Sequence, residues 1–167
     1  MSTLLSKEIK LEIDHWIKKY PKDKAQSALL PALHIIQNHS QYNYITKQDM
    51  RELAAYLDIP EVSVEAVATF YSMYNLKKTG VNQIGVCTNI SCMLRGSEQI
   101  MEHIEKKLKI NVNQTTSDGN FTLKEVECLG ACVGAPMLHI NDQYYENLTL
   151  TKVDNLLEEF KKNHANK

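Results

Sequence analysis

Four cysteines, grouped in two close pairs, constrain this chain more than any other feature of its sequence. The segment "CTNISC" contains Cys87 and Cys92, and the later segment "CLGAC" contains Cys128 and Cys132. Paired cysteines have four ordinary uses: disulfide bonds, a zinc site, thiol redox chemistry, or an iron-sulfur cluster. The fold must therefore place both pairs where one of these chemistries can operate.

Composition and charge exclude several classes of protein. The 167 residues suffice for one good core, or for a modest domain with a helical appendage. The net charge of -1 lacks the basic excess that nucleic-acid binding requires, so no nucleic-acid partner is expected. The charged N-terminal segment does not resemble a signal peptide, and no uncharged stretch approaches the ~20 apolar residues of a membrane helix. We expect a cytoplasmic protein without direct membrane insertion, in which disulfides are disfavoured.

The distribution of glycine divides the chain into two parts. All six glycines lie at or after Gly80, and residues 1–79 contain neither glycine nor cysteine. We therefore expect an N-terminal helical region over residues 1–79 and a second domain over residues 80–167. Helical periodicity predicts four helices in the first part, in "SKEIKLEIDHWIKKY", "SALLPALHIIQNHS", the segment from "TKQD" to Pro60, and "SVEAVATFYSMY". Ser27 is expected to cap the second helix, and Thr46 with Asp49 to form a capping box on the third.

The apolar positions that recur at helical spacing in these segments are expected to be buried. They are Ile9, Ile13, Trp16, Ile17, Tyr20, Leu29, Leu33, Ile36, Met50, Leu53, Ala54, Leu57, Val64, Val67, Ala68 and Tyr71. The aromatic stretch "FYSMY" and Trp16 allow two interpretations: core packing, which helical spacing favours, or a surface that binds a partner.

The second part alternates strand and helix patterns. Strands are predicted in "NQIGVC", "FTLKEV", "MLHI" and "QYYE", with Asn141 and Asp142 in a hairpin turn between the last two. Helices are predicted in "GSEQIMEHIEKKL" and "TKVDNLLEEF", the latter with Thr151 and Asp154 in capping-box positions. This order gives a parallel strand pair followed by an antiparallel hairpin, as in the thioredoxin fold. The expected fold class is α/β (α+β): a helical bundle, then a thioredoxin-like domain with a four-stranded mixed sheet.

Spacing alone leaves the use of the cysteines open between two metals. A thioredoxin-type dithiol has two residues between its cysteines, whereas these pairs have four and three, so thiol redox catalysis is disfavoured. Structural zinc and a 2Fe-2S cluster both accept four thiolates. The two parallel strands end at the same edge of the sheet, so both pairs are expected to meet there. Gly130 and Gly134 suit a loop around a cluster, and they also suit any tight turn.

A resemblance favours iron over zinc. The stretches "GVCTNISCMLRGSEQI" and "FTLKEVECLGACVGAPMLHINDQYYENLT" resemble the thioredoxin-like 2Fe-2S ferredoxin family, and especially its members that serve as the small iron-sulfur subunit of NADH:quinone oxidoreductase (respiratory complex I). The N-terminal segments "PALHIIQNHSQYNYIT" and "VEAVATFYSMYNLKKTG" are similar to the helical region of those members. The resemblance implies that Cys87, Cys92, Cys128 and Cys132 ligate one 2Fe-2S cluster. This chain has Val133 where many relatives have glycine after the fourth cysteine. The difference puts the geometry of the local loop in question, and not the identity of the ligands.

The same resemblance implies an electron-transfer role within a complex. The expected partners are the flavoprotein subunit that carries FMN and binds NADH, docked in part by the N-terminal helices, and neighbouring subunits of the peripheral arm of an inner-membrane complex. No dinucleotide fingerprint and no catalytic residue is identified in this chain itself. Two alternatives remain: the equivalent diaphorase subunit of an NAD-linked hydrogenase or formate dehydrogenase, and a non-redox adaptor that binds zinc.

Four further residues are singled out in the sequence. Arg95 would raise the reduction potential by stabilising the reduced cluster, or it is a solvated surface charge. His103 and His139 are interpreted as structural or exposed residues and not as ligands, because four cysteines are already present. Pro136 occupies the place where thioredoxin-like folds often have a cis proline.

Overall fold

The computed structural model describes residues 5–165 and contains two compact units, one ending at Lys78 and the other beginning at Thr79. Among residues 5–165, no helix combines the length and the apolar character needed to cross a membrane.

The first unit is helical, as predicted. Its elements are α1 (Lys7–Ile17), a 3₁₀ helix (Lys22–Ala28), α2 (Leu29–His39), α3 (Lys47–Leu57) and α4 (Glu61–Phe70). The apolar stripes of these helices form one core, because residues three or four apart lie on the same helix face. Its fully buried members include Ile13, Leu33, Leu53 and Val64.

Of the two helix caps predicted in this unit, one is present and one is not. The predicted capping box is present: the Asp49 amide donates to the Thr46 hydroxyl at 3.1 Å, and the Thr46 amide donates to the Asp49 carboxylate at 2.7 Å. The predicted Ser27 cap is wrong. The 3₁₀ helix runs directly into α2, so the Leu29 amide donates to the Gln26 carbonyl and no side chain caps the start of α2.

The expected burial of the "FYSMY" segment is correct only for its last residue. Helix α4 ends at Phe70 and Tyr71 has an extended backbone, so helical spacing no longer determines which side chains face the core. Phe70 is 80% exposed and Tyr71 is 39% exposed. Tyr74 is buried, and its hydroxyl donates to the Leu30 carbonyl at 2.8 Å.

The second unit contains the predicted mixed sheet of four strands. These are β1 (Asn82–Cys87), β2 (Phe121–Val126), β3 (Leu138–Ile140) and β4 (Gln143–Tyr145), in the spatial order β2-β1-β3-β4. Strand β1 is parallel to β2 and antiparallel to β3, and β3 is antiparallel to β4. Asn141 has a positive φ of 53° in the hairpin turn, a conformation that asparagine tolerates well. The predicted fold class is confirmed, with its four-stranded mixed sheet, its parallel pair and its antiparallel hairpin.

Three helices complete this unit: α5 (Ile90–Leu94), α6 (Ser97–Leu108) and α7 (Leu150–Ala165). Strand residues Ile84, Val86 and Leu123 share a core with α6 and α7. The short helix α5 was not predicted as a separate element. The capping box expected at Thr151 and Asp154 is wrong, because α7 begins at Leu150 and Thr151 already lies inside the helix.

Thr149 stands at the start of α7 instead. Its hydroxyl accepts a hydrogen bond from the Lys152 amide at 3.2 Å, which is the usual pattern for a cap. The Asp154 carboxylate accepts from His103 of α6 at 2.9 Å and lies 3.1 Å from the Lys107 ammonium group. Tertiary partners on α6 therefore bind the carboxylate that was expected to cap α7, and they hold its pKa below the usual value.

Candidate metal centre

The fold carries both cysteine pairs to one edge of the sheet. Cys87 is the last residue of β1 and Cys92 lies in α5, while Cys128 follows β2 and Cys132 begins a short 3₁₀ turn (Cys132–Gly134). Strands β1 and β2 are parallel, and Cys87 is in register with Val126. Since parallel strands have their carboxyl ends at the same edge, both cysteine-bearing loops leave the sheet there.

The two pairs differ in exposure. Cys87 and Cys92 are buried in a small apolar cluster with Ala135 and Met137, whereas Cys128 and Cys132 are exposed. All four cysteines are free thiols, so the structure contains no disulfide between them. One pair is therefore shielded from water and the other faces solvent.

The sulfur atoms are close enough to act together. The Sγ atoms of Cys128 and Cys132 lie 3.7 Å apart. Two thiolates that bind one tetrahedral metal ion at roughly 2.3 Å are separated by about 3.7 Å, so this distance fits a shared metal. Charge on Cys87 and on Cys132 acts on the Cys92 thiol. The two cysteine pairs therefore lie within electrostatic range of one another.

Burial raises the pKa of the Cys92 thiol, and the hydrogen bond with Cys87 raises it further, while a backbone contact with Met137 acts in the opposite direction. A buried thiolate is unfavourable without a compensating positive charge. A bound metal supplies that charge and deprotonates its thiol ligands. Thiolate ligands of this kind are used both by iron-sulfur clusters and by zinc sites.

Across residues 5–165, no three His, Cys, Asp or Glu side chains are grouped so as to hold a single metal ion. The structure instead groups the cysteines two by two. A 2Fe-2S cluster takes two protein ligands on each iron, so two adjacent pairs match its requirement.

Side-chain hydrogen bonds join the loop after β1 to the end of β2. The Thr88 hydroxyl donates to Glu125 at 2.6 Å, and the Asn89 side-chain amide donates to Glu127 at 3.1 Å. The Cys87 amide donates to the Met137 carbonyl at 3.2 Å. These bonds fix the first cysteine pair relative to the second strand and to the segment before β3.

Two glycines in the second loop have different requirements. Gly130 lies between Cys128 and Cys132 with a φ of +80°, a conformation in which a side chain causes strain. Gly134 is buried beneath Glu146, whose side chain occupies the position a Cβ atom would take. Val133 is 93% exposed, so the departure noted in the sequence places its side chain in solvent and not in the loop interior. The Ala135-Pro136 peptide, whose isomer the sequence left open, is cis.

The remaining residues singled out in the sequence have definite partners. His103 is bonded to Asp154, and His139 Nδ1 lies 2.7 Å from the Asn141 carbonyl, so both histidines have structural contacts. Arg95 is exposed, yet its guanidinium Nη1 donates to the carbonyls of Val133 and Ala135 at 3.1 and 3.3 Å. The sequence did not indicate this contact, because the partners are backbone atoms of a distant loop.

Comparison with known proteins agrees with this geometry. The family model described as "Thioredoxin-like [2Fe-2S] ferredoxin" matches residues 13–161. A Rickettsia felis subunit of NADH-quinone oxidoreductase is 45% identical over 150 residues, which are 90% of this chain and 89% of the relative. The mitochondrial NADH dehydrogenase [ubiquinone] flavoprotein 2 of Dictyostelium discoideum is 43% identical over 157 residues, which are 94% of this chain and 63% of the relative.

Among solved structures, an NAD+-reducing [NiFe]-hydrogenase in its H2-reduced state has a similar region, with a TM-score of 0.69 and 25% identity. The similarity covers 80% of this chain and 22% of the hydrogenase chain. The family match extends over both the helical unit and the domain with the cysteines. With its strand order, its cysteine spacing and this match in agreement, the chain belongs to the thioredoxin-like [2Fe-2S] ferredoxin family.

Proposed function

We propose that this protein is an electron-transfer subunit of an NADH-oxidising complex and that Cys87, Cys92, Cys128 and Cys132 hold one 2Fe-2S cluster in it. The observation that supports the proposal is the position of two cysteine pairs at one edge of the sheet, after the parallel strands β1 and β2. Two close pairs supply the two ligands that each iron requires. Membership in a family named for this cluster favours iron over zinc.

When bound, such a cluster accepts and donates one electron at a time. The residues of this chain set the conditions for that exchange. Cys87 and Cys92, packed with Ala135 and Met137, keep water from one side of the site, and a low local dielectric strengthens every nearby charge. The exposed Cys128 and Cys132 give the site an open side at which a redox partner can approach.

The partner in this proposal is a flavoprotein subunit that carries FMN and binds NADH. The names of the relatives support it, since both are components of NADH dehydrogenases. In this proposal the N-terminal helical unit contributes to docking, and the assembly belongs to the peripheral arm of a membrane complex. The exposed Phe70 and Tyr71 on that unit are of the residue types enriched in protein interfaces.

A second candidate is the equivalent diaphorase subunit of an NAD-linked hydrogenase. The observation that favours it is the similarity to the NAD+-reducing hydrogenase over 80% of this chain. The site would work in the same way, and only the assembly around it would differ.

Metal analysis tests the cluster. Protein purified anaerobically is expected to be red-brown, to contain two irons and two sulfides per chain, and to give an electron paramagnetic resonance signal on reduction. Cys132→Ala should lose most of this cluster, whereas Val133→Ala, a change at the exposed neighbouring position, should retain it. Colourless protein with one zinc ion per chain would refute the electron-transfer role.

Affinity purification from the native host distinguishes the two assemblies. Co-purification of an NADH-binding flavoprotein together with quinone-reducing subunits supports the first candidate. Co-purification of the flavoprotein together with hydrogenase subunits supports the second.

A further inference from the structure

Arg95 connects the two cysteine-bearing loops. Its backbone belongs to the first loop, because it caps helix α5 and its amide donates to the Cys92 carbonyl at 3.1 Å. Its side chain belongs to the second, because Nη1 donates to the carbonyls of Val133 and Ala135 at 3.1 and 3.3 Å. One residue therefore spans segments that lie 38 and 40 positions apart in sequence.

The second loop is also held from its other side, because the Asn147 amide donates to the Gly134 carbonyl at 2.6 Å. Arg95 adds the contacts that reach this segment from the first loop. Cys132, Val133 and the residues between Cys128 and Cys132 form no strand and only a single 3₁₀ turn. The two carbonyls that Arg95 binds flank Gly134, which is packed beneath Glu146. A hydrogen bond from a charged donor is stronger than a neutral one, so this contact restrains the backbone directly after Cys132.

The charge of Arg95 is opposite to that of two other side-chain connections between these regions. Glu125 and Glu127 join the end of β2 to Thr88 and Asn89, and both bring negative charge. Electron acceptance adds negative charge to the site, so a nearby cation favours the reduced form and a nearby carboxylate disfavours it. Arg95 and Glu127 are therefore comparable positions for mutation: the side chain of each joins the two loops, and their charges have opposite signs.

We propose that Arg95 is a positioning residue that holds the Cys132 loop against the helix containing Cys92, and that its charge raises the reduction potential of the site. The inference about the potential rests on the proposed function. The inference about the loop concerns this chain's own backbone and is tested with or without the cluster.

The experiment compares full-length wild-type protein with Arg95→Gln, Arg95→Lys, Glu127→Gln and Lys106→Gln. Lys106 lies on α6 and pairs with Glu102 at 3.2 Å, so Lys106→Gln controls for the loss of a surface charge. The first measurements are the midpoint potential and the rate of iron loss to a chelator. Arg95→Gln should lower the potential and accelerate iron loss about tenfold, which corresponds to the loss of roughly one charged hydrogen bond.

The other variants separate charge from bonding. Arg95→Lys keeps the charge and should retain the potential while losing iron faster than wild type. Glu127→Gln should shift the potential upward, opposite to Arg95→Gln, and Lys106→Gln should change neither quantity. Equal potentials and equal rates of iron loss in wild type and Arg95→Gln would overturn the inference.

Amide hydrogen exchange provides a readout that does not require iron. The Gly134 amide donates to the Ala131 carbonyl at 3.1 Å and the Ala135 amide donates to the Cys132 carbonyl at 3.3 Å. In metal-free protein, Arg95→Gln should accelerate exchange at these two amides and leave exchange in β1 unchanged. Unchanged exchange at Gly134 and Ala135 would refute the loop role. Wild-type protein without iron would refute the proposed function, while the exchange data would still decide the loop role.

Discussion

A glycine in the central strand provides a test of the fold that positions the first cysteine pair. Gly85 of β1 pairs with His139 of β3, and a Cβ atom built on Gly85 would overlap His139 Nε2 and lie 2.6 Å from its Cδ2. Real Cβ atoms do not approach other atoms so closely. Gly85→Ala therefore forces the imidazole ring to move.

The expected cost follows from three contributions. Overpacking costs roughly 1–3 kcal/mol, and moving the ring removes the Nδ1 contact with the Asn141 carbonyl, which contributes about 1 kcal/mol. Replacing glycine by alanine in a strand recovers about 0.5–1 kcal/mol of backbone entropy. We expect Gly85→Ala to lower the free energy of unfolding of the second unit by about 2 kcal/mol.

The same substitution should have the opposite sign when the ring is absent. In a His139→Ala background the overlap disappears and only the entropy gain remains, so Gly85→Ala should stabilise the unit by about 0.5–1 kcal/mol. The assay is urea unfolding of the four proteins of this double-mutant cycle, followed by circular dichroism. Trp16, the single tryptophan, lies in the first unit, so its fluorescence reports separately on the unfolding of that unit. An equal effect of Gly85→Ala in both backgrounds would show that the ring is not the cause.

Three further predictions concern the helical unit and the site. Thr46→Ala removes half of the capping box and should lower the free energy of unfolding of the first unit by about 1 kcal/mol. The measurement is urea unfolding followed by Trp16 fluorescence, and an unchanged urea midpoint would contradict the role of the cap. Burial, with a smaller contribution from Tyr71, raises the pKa of Tyr74 to about 12 from its ordinary value of 10.0. As the pH rises, the unfolded state therefore loses this proton first, and the free energy of unfolding should fall between about pH 10 and 12. Tyr74→Phe should show less of that fall in alkaline unfolding experiments. Gly130→Ala places a side chain at a φ of +80° and should reduce the amount of cluster that the protein retains. Gly130→Asn should retain more cluster than Gly130→Ala, because asparagine tolerates this conformation better. Equal retention in the two variants would show that the φ of Gly130 is unimportant.

Local patterns in the sequence were sufficient where the structure depends on neighbouring residues. The bounds of β1 and β2, the turn at Asn141 and the Thr46 capping box all follow from residue type and spacing within a few positions. The strand and helix order then indicated the thioredoxin-like sheet, because parallel pairing of β1 and β2 requires a crossover.

The predictions failed where a longer-range contact replaced a local one. Asp154 had the spacing of a capping residue, but His103 and Lys107 of α6 bind its carboxylate, and Thr149 occupies the start of α7. Tyr71 continued an apolar stripe in the sequence, but its helix ends one residue earlier. The local pattern showed neither the α6 partners of Asp154 nor the residue at which α4 ends.

For the candidate site, the sequence by itself determined which four residues carry thiols, their spacing, and the two parallel strands that lead to them. The tertiary structure decided the rest: that Cys87 and Cys92 are buried while Cys128 and Cys132 are exposed, and that Arg95 binds the Val133 and Ala135 carbonyls. The physical reason is that burial and hydrogen bonds to backbone carbonyls depend on which distant segments become neighbours. Backbone carbonyls are the same at every residue, so no pattern of side chains marks them in advance.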